Sequence, residues 1–248
     1  MKKFKILFLI LFFSLGQAVS SPAAETDGQG RLDILLQKSN LFYASVKNYR
    51  AIFEKQERAG GKLGEKEKIF FKFEKPFKIF MGWLNTEKKD LQVVYERGKH
   101  RGKLAIHKPG LGFGLVPVIF LDQNSPWVRE GSENYNIEDA GIGTFLADFT
   151  QAVKKAEAAD ELKINFENEE TVEVIFDGSK EGSGYFAYRV LVSFDPATAL
   201  PVKMRLFDWK NELTGAYAYE HLKINLNPED AEFKQSVNRQ LYRVYQGK

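Results

Sequence analysis

Apolar and polar residues alternate along two long blocks of the chain, which are separated by segments of a different pattern. In the first block, residues 49–106, apolar side chains recur at every second position, and short turns and Pro76 interrupt the runs. Residues 162–225 repeat the same period of two. This alternation indicates strands with one buried face, and the short turns indicate antiparallel neighbours. We therefore predict about ten strands in one curved antiparallel sheet.

Two other stretches repeat apolar residues every three or four positions, which is the period of an amphipathic helix. The first stretch is residues 31–46, and the second is residues 143–159, where Thr144 is the predicted N-cap. The apolar face of each helix must be buried against another layer, and the concave face of the sheet is the available one. The predicted fold class is therefore α+β, an open half-barrel whose concave face is covered by helices.

Residues 109–143 fit neither period. Their apolar side chains are interrupted by several glycines and prolines, among them Gly110, Gly112 and Pro117. A long irregular segment inside a compact domain is uncommon and is often a lid or a binding loop. We therefore predict that this segment is a movable cover over the concave face.

A loose cover would leave a cavity for an apolar ligand, whereas a tight cover would produce an ordinary core, and the sequence leaves both open. About ten methylenes of an acyl chain contribute roughly 8 kcal/mol on burial, which is enough for micromolar binding. The candidate ligand-binding residues are apolar side chains of the first strands and of the irregular segment: Phe53, Ile69, Phe71, Phe73, Phe77, Ile79, Met81, Trp83, Leu115 and Phe120.

The first twenty residues have the layout of an export signal. Lysines at positions 2, 3 and 5 precede an apolar run at 6–15, which is shorter than a membrane span, and Ala18-Val19-Ser20 provides small residues for cleavage. We expect a signal peptide over residues 1–20, a flexible leader over 21–30 and a single domain over 31–248. Such a chain is expected in the periplasm.

Composition excludes several kinds of chemistry. The chain has no Cys, which excludes disulfides, thiolate metal sites and a cysteine nucleophile. Without the three signal lysines, the 36 basic residues fall to 33 and equal the 33 acidic residues, so nucleic-acid binding has no electrostatic basis. We find no nucleophile elbow and no zinc-protease motif. We therefore expect no enzyme activity, no metal and no cofactor.

Two stretches of the sequence resemble segments of known proteins. Tyr49 to Gly64 reads Y-x-A-x-F-x-K-Q-E-R-x-G-G-K-L-G, and Lys72 to Leu84 reads K-F-E-K-P-F-K-I-F-M-G-W-L. Together with Gly141-Ile142-Gly143 and the segment Asn227 to Phe233, they resemble a family of exported bacterial proteins of unassigned function. The layout is similar to the LolA-like periplasmic carriers of lipoproteins and lipids. The resemblance implies a half-barrel that binds an acyl chain or lipid.

The leading hypothesis is a monomeric periplasmic carrier that shields a lipid or a lipoprotein acyl chain and exchanges it with a membrane-bound donor or acceptor. One alternative is a non-enzymatic envelope interaction protein with a filled core. A second alternative is an envelope hydrolase that uses His221 or a pair of carboxylates. In the motif near residue 60, we expect Glu57 and Arg58 to fix the end of a hairpin.

Overall fold

The structure, a computed structural model, describes residues 22–110, 118–129, 136–178, 184–227 and 237–247. The strands in these ranges are β1 (Asn48–Ala59), β2 (Lys62–Leu63), β3 (Glu67–Glu74), β4 (Lys78–Trp83), β5 (Gln92–Glu96), β6 (Leu104–His107), β7 (Ile119–Leu121), β8 (Leu162–Phe166), β9 (Thr171–Phe176), β10 (Arg189–Phe194), β11 (Pro201–Phe207) and β12 (Leu213–Ile224). The helices are α1 (Pro22–Ser45), α2 (Pro126–Arg129), α3 (Ile142–Ala158) and α4 (Arg239–Tyr245), with two short 3₁₀ helices at His100–Gly102 and Ile137–Asp139.

All strands belong to one antiparallel sheet. Its order is β7-β6-β5-β4-β3-β1-β12-β11-β10-β9-β8, and β2 pairs only with the end of β1. The two long strands β1 and β12 join an N-terminal meander to a C-terminal one. The first and last strands in this order do not pair with each other, so the sheet stays open. The predicted open antiparallel sheet with covering helices is confirmed, with twelve strands instead of about ten.

The main core lies between one face of the sheet, the inner face, and helices α1 and α3. Helix α3 faces it with apolar residues spaced by three and four positions, as the sequence predicts: Ile142, Leu146, Phe149, Val153 and Ala156. Helix α1 packs on β8 and α3, and α3 packs on β8, β9 and β11. The two helices therefore cover the half of the inner face that the C-terminal meander provides.

Both long helices begin earlier in the chain than the sequence pattern predicts. Helix α1 begins at Pro22, so most of the predicted leader, residues 21–30, lies in its first turns. Proline is favoured in the first helical turn, where its missing N–H has no intrahelical partner, and alanines follow it here. Helix α3 begins at Ile142 with Gly141 as N-cap, so Thr144 lies inside the helix. The predicted signal peptide lies outside the described residues.

A second, smaller core lies on the opposite, outer face of the sheet. Phe70 of β3, Phe80 of β4 and Leu241 of α4 are buried there together. The sequence pattern predicted only one apolar face, so this layer is a correction to the prediction. Strand β3 is buried on both faces, because α4 covers its outer side near the C-terminal end of the chain.

Candidate functional site

Aromatic side chains form a continuous band across the inner face, and we call this band the ring belt. In spatial order its members are Tyr219, Phe53, Phe71, Tyr49, Phe73, Phe77 and Tyr95. The ring centroids of successive members lie 4.8 to 6.0 Å apart. The sheet register explains the closest pairs, since Phe53 lies opposite Tyr219 and Tyr49 lies opposite Phe73. Each such pair contributes about 0.5–1.5 kcal/mol beyond the burial of its apolar area.

Eight of the ten predicted ligand-binding residues contribute to the inner-face core. Seven of them are buried and Trp83 is partly buried: Phe53, Ile69, Phe71, Phe73, Phe77, Ile79, Met81 and Trp83. Phe120 is not among them, because alternation along β7 turns its neighbours Ile119 and Leu121 toward the core. The Phe120 ring is 42% exposed and lies 5.0 Å from His100. Leu115 lies outside the described residues.

The irregular segment covers the inner face near β5, where the sheet belongs to the N-terminal meander. We call its described residues, 118–129 and 136–140, the cover segment. Strand β7, helix α2 and a 3₁₀ helix lie in it, so it is more ordered than the glycine and proline content predicts. Five of its apolar side chains pack, partly buried, against the inner-face core: Ile119, Leu121, Val128, Ile137 and Ala140.

The cover segment is fastened to β5 by one glutamate. The Tyr95 hydroxyl donates a hydrogen bond to the Glu138 carboxylate, and Arg97 Nε lies 3.4 Å from the same oxygen. The Arg97 guanidinium also lies over the Phe77 ring, with its carbon 4.3 Å from the ring centroid. Burial, and then the Glu138 charge, raise the pKa of Tyr95, so its hydroxyl keeps the proton that it donates. This contact joins the cover segment directly to the ring belt.

Three tyrosine hydroxyls lie at the start of α3, and we call this arrangement the tyrosine cap. The Ile142 backbone N–H donates to the Tyr49 hydroxyl over 2.9 Å. The backbone N–H groups of Gly141 and Gly143 face the hydroxyls of Tyr219 and Tyr43 and partly offset the rise in pKa that burial causes there. The N–H groups of the first helical turn have no intrahelical acceptor, and a side chain at the N-cap usually serves them. The N-cap is a glycine, which has no side chain that could accept one of these N–H groups, so the Tyr49 hydroxyl of β1 accepts one of them instead.

Glycine is required where the tyrosine cap meets the helix. Gly141 has φ of +116°, which disfavours other residues, and a Cβ at Gly143 would lie 2.2 Å from the Tyr43 ring. Burial raises the pKa of Tyr43 to about 12 and raises the pKa of Tyr49 and Tyr219 well above the ordinary value. All three hydroxyls are therefore neutral at any physiological pH. The Gly141-Ile142-Gly143 motif of the sequence thus has a structural explanation.

Charged and polar side chains close the inner face at the end next to β2. We call them the polar network: Lys55, Glu57, Glu67, Trp83, Lys88 and Tyr217. The Trp83 indole N–H donates to Glu67 over 3.0 Å, and the Tyr217 hydroxyl donates to Glu57 over 2.9 Å. Lys55 Nζ lies 3.0 Å from Glu57 and 3.9 Å from Glu67, so one ammonium bridges two carboxylates. The buried charges are paired, as burial requires.

Arg58 fixes the neighbouring hairpin, as the sequence predicts. Its guanidinium donates to the backbone oxygens of Gly61 and Leu213, each over 2.9 Å. It also lies 3.6 Å from the Glu212 carboxylate. Arg58 therefore ties the β1–β2 turn to the turn before β12.

No ring-belt side chain lines either of two cavities in the described part of the chain. The larger, of about 360 Å³, lies where α1 is connected to β1, and the smaller, of about 250 Å³, lies beside Asp122 and Glu138. The ring belt itself is buried, since Phe71 is fully buried and Phe77 is only 5% exposed. In this conformation the inner face is therefore closed.

His221, the histidine considered for catalysis, is on β12. His221 is exposed at an irregularity in the β1–β12 pairing, where its φ is +54°. Within the described ranges, no group of three or more His, Cys, Asp or Glu side chains could hold a metal ion. No helix in those ranges is both long enough and apolar enough to cross a membrane.

Solved structures similar to this chain share little sequence with it. A DUF1329 family protein from Desulfovibrio piger is 12% identical at a TM-score of 0.38, covering 86% of this chain and 98% of that one. A LolA superfamily protein from Nitrosomonas europaea is 8% identical at 0.38, covering 83% and 98%. The MucA/MucB complex of Pseudomonas aeruginosa is 16% identical at 0.42, covering 86% of this chain and 62% of that one.

No curated protein matches the chain. A family model described as "Protein of unknown function (DUF1571)" matches residues 46–242, which include the ring belt, the cover segment and all of the tyrosine cap except Tyr43. That range is well over half of the 248 residues. The chain therefore belongs to the DUF1571 family.

Proposed function

We propose that this protein is a non-catalytic carrier that shields an acyl chain or lipid on its ring belt when the cover segment moves aside. The observation that carries the proposal is the cover itself. Near β5 the ring belt lies under a segment of short elements joined by loops, whereas the C-terminal meander lies under two long helices. Segments of this kind open at lower free energy than packed helices do.

The energetics of exchange favour such a role. An acyl chain that replaces the apolar side chains of the cover segment outside β7, which are Val128, Ile137 and Ala140, exchanges one apolar contact surface for another. Burial of about ten methylenes contributes roughly 8 kcal/mol. Removing half-buried side chains from the core costs on the order of 1 kcal/mol each, because full burial is worth about 1.5–3 kcal/mol. With three such side chains the surplus is about 5 kcal/mol, which corresponds to submillimolar affinity, and micromolar affinity needs about fourteen buried methylenes.

The ligand contacts in this proposal are the inner-face residues already predicted, from Phe53 on β1 to Trp83 on β4, and Leu115. Phe120 is left out because it lies on the other side of β7. The proposed compartment is the periplasm, reached through the predicted signal peptide at residues 1–20. A membrane-bound donor or acceptor would load and unload the lipid.

One specific observation favours a second candidate function. Ile69, Phe71 and Ile79 are fully buried by the chain's own side chains. A core that is filled in this way and never opens would suit an envelope interaction protein that acts through its surface. The two candidates differ in whether the cover segment opens, and this difference can be measured.

Opening of the cover is expected to expose Met81 and not Val174. Both positions are buried on the inner face, but Val174 lies on β9 under α3. Because the chain has no Cys, Met81→Cys and Val174→Cys each introduce a single thiol. We expect maleimide to label position 81 at least about tenfold faster than position 174, which corresponds to 1.4 kcal/mol in opening free energy. Saturating monoolein, an uncharged single-chain lipid, should slow labelling at position 81 only.

The same proposal predicts bound lipid in the native protein. Protein produced in its own compartment should release acyl lipid on organic extraction, as detected by mass spectrometry, and heat-denatured protein from the same preparation serves as control. Equal labelling rates at positions 81 and 174, together with an extract free of lipid, would reject the carrier and favour the filled-core candidate.

Loss of the Glu138 contact should make opening easier. Glu138→Ala removes the acceptor for Tyr95 and the partner of Arg97. Glu138 is partly exposed, so we expect a loss of only about 1 kcal/mol, or roughly fivefold faster labelling of a thiol at position 81. Glu169→Ala, at an exposed turn between β8 and β9, is the matched control. An unchanged labelling rate in Glu138→Ala would show that this contact does not hold the cover.

A further inference from the structure

Two hydrogen-bond donors lie at one end of the ring belt, and the sheet holds both of them. Tyr95 lies in β5 opposite Ile79, and its side chain is 3% exposed. Arg97 follows β5 directly, and its backbone N–H donates to the Phe77 oxygen over 3.0 Å. Residues two apart along a strand point to the same face, so the Tyr95 hydroxyl and the Arg97 guanidinium lie close together. We call these two groups the donor pair.

The anion that the donor pair contacts belongs to a different element. Glu138 lies in the 3₁₀ helix of the cover segment, where its carboxylate accepts a hydrogen bond from Tyr95 and lies 3.4 Å from Arg97 Nε. The turn around Glu138 is closed within the segment, since the Asp139 N–H donates to the Asn136 oxygen over 3.0 Å. When the cover segment moves aside, this carboxylate leaves with it, whereas the donor pair stays with the sheet.

A fatty acid on the ring belt could replace the carboxylate that leaves. The Glu138 side chain is a carboxylate on a short alkyl stem, and a fatty acid carries the same two oxygens on a longer chain. Because one carboxylate replaces another, the charge beside Asp122, which lines the same small cavity as Glu138, does not change. A guanidinium has five N–H donors, and the contact between Nε and Glu138 uses one of them. Hydrogen bonds from such donors to a carboxylate are charge-assisted and strong.

We propose that Tyr95 and Arg97 bind the carboxylate of a fatty acid cargo, and that Glu138 occupies this position while the carrier is empty. The inference rests on the proposed carrier function and narrows its cargo to acyl chains with a free carboxylate. An uncharged lipid would fill the ring belt equally well but would leave the buried Tyr95 hydroxyl without its anionic acceptor, which costs affinity.

Two lipids with the same acyl chain, oleate and monoolein, test the site. Each is titrated below its aggregation concentration against Met81→Cys protein, and protection of the thiol from maleimide gives its affinity. The ratio of the two affinities is the oleate preference. Opening of the cover affects both lipids equally and cancels from this ratio, so the oleate preference measures the donor pair alone.

The oleate preference should be about thirtyfold in the Met81→Cys protein. Tyr95→Phe removes only the hydroxyl and should lower the preference about tenfold. Arg97→Gln, at a side chain that is 57% exposed, should lower it about threefold. Arg101→Gln, at an exposed arginine in the first 3₁₀ helix, is the charge-matched control and should leave the preference within about twofold.

Glu138→Ala separates the internal competitor from the donors. It should tighten the binding of both lipids about fivefold and leave the oleate preference unchanged. Protection by both lipids without an oleate preference, or a preference that persists in Tyr95→Phe and Arg97→Gln, would overturn the carboxylate site while the carrier stands. Absence of protection by either lipid would overturn the carrier and the carboxylate site together.

Discussion

Phe71→Ala is expected to lower the free energy of unfolding by about 3–5 kcal/mol. Phe71 is fully buried at the centre of the ring belt, where its ring lies 5.5 Å from Phe53 and 5.9 Å from both Tyr49 and Tyr219. Truncation removes the transfer free energy of the ring and leaves a void, because rings on three strands cannot collapse into the space together. Urea denaturation followed by circular dichroism measures the change.

Phe120→Ala provides the matched control, because the sequence predicts the same role for Phe120 but the structure leaves it 42% exposed on β7. We expect a loss below about 1 kcal/mol at that position. The comparison also tests whether the inner face is closed. If the belt lined an open cavity, Phe71 would already lack partners on one side, and Phe71→Ala would cost no more than Phe120→Ala.

The alternation of apolar residues was sufficient to predict which side chains of the first strands lie on the inner face. Phe53, Phe71 and Ile79 follow the period of two because one face of their strands is buried, and the structure brings them together as expected. The same rule fails for the outer face. Phe70 and Phe80 interrupt the alternation, and a strand buried on both faces has no period that a sequence pattern can detect.

The cover segment illustrates a different limit. Strand β7 could not be predicted from the sequence. A strand of three residues is too short to show a period of two, and glycines and prolines lie near it in the chain. Phe120 was therefore assigned to the inner face by its apolar character alone, whereas the pairing of Ala105 with Phe120 places it on the other side. In a short strand, the face of the sheet on which a side chain lies depends on the register of pairing with the neighbouring strand. That register is not encoded in the local sequence pattern.

The tyrosine cap could not be predicted either, since its three hydroxyls come from segments far apart in the sequence. The only local signal is the spacing of Gly141 and Gly143 at the start of a helix. Glycine lowers helix stability, so its presence in a first turn indicates a close approach by another group. The identity of that group depends on the fold.

Gly143→Ala is expected to lower the free energy of unfolding by about 2 kcal/mol, although alanine is the better helix former. The added methyl group would lie 2.2 Å from the Tyr43 ring, so the ring must rotate away. The Tyr43 hydroxyl then moves away from the Gly143 backbone, and the ring loses Lys75, whose Nζ lies 4.4 Å from its centroid. Gly30→Ala, in α1 with no atom within 4 Å of the new methyl group, should instead stabilise the protein by roughly 0.5–1 kcal/mol.

In a protein that lacks the Tyr43 ring, Gly143→Ala should raise the free energy of unfolding instead of lowering it. In a Tyr43→Ala background the methyl group has no ring to displace, so only the gain in helix propensity remains, and Gly143→Ala should stabilise by roughly 0.5–1 kcal/mol. A double-mutant cycle from urea denaturation therefore yields a coupling of about 2–3 kcal/mol between the two positions. Equal destabilisation in both backgrounds would mean that glycine is needed there for the backbone alone. A full reversal of sign would establish that the Tyr43 side chain of α1 sets the position of α3. Tyr43 would then also set the boundary between the part of the inner face under α1 and α3 and the part under the cover segment.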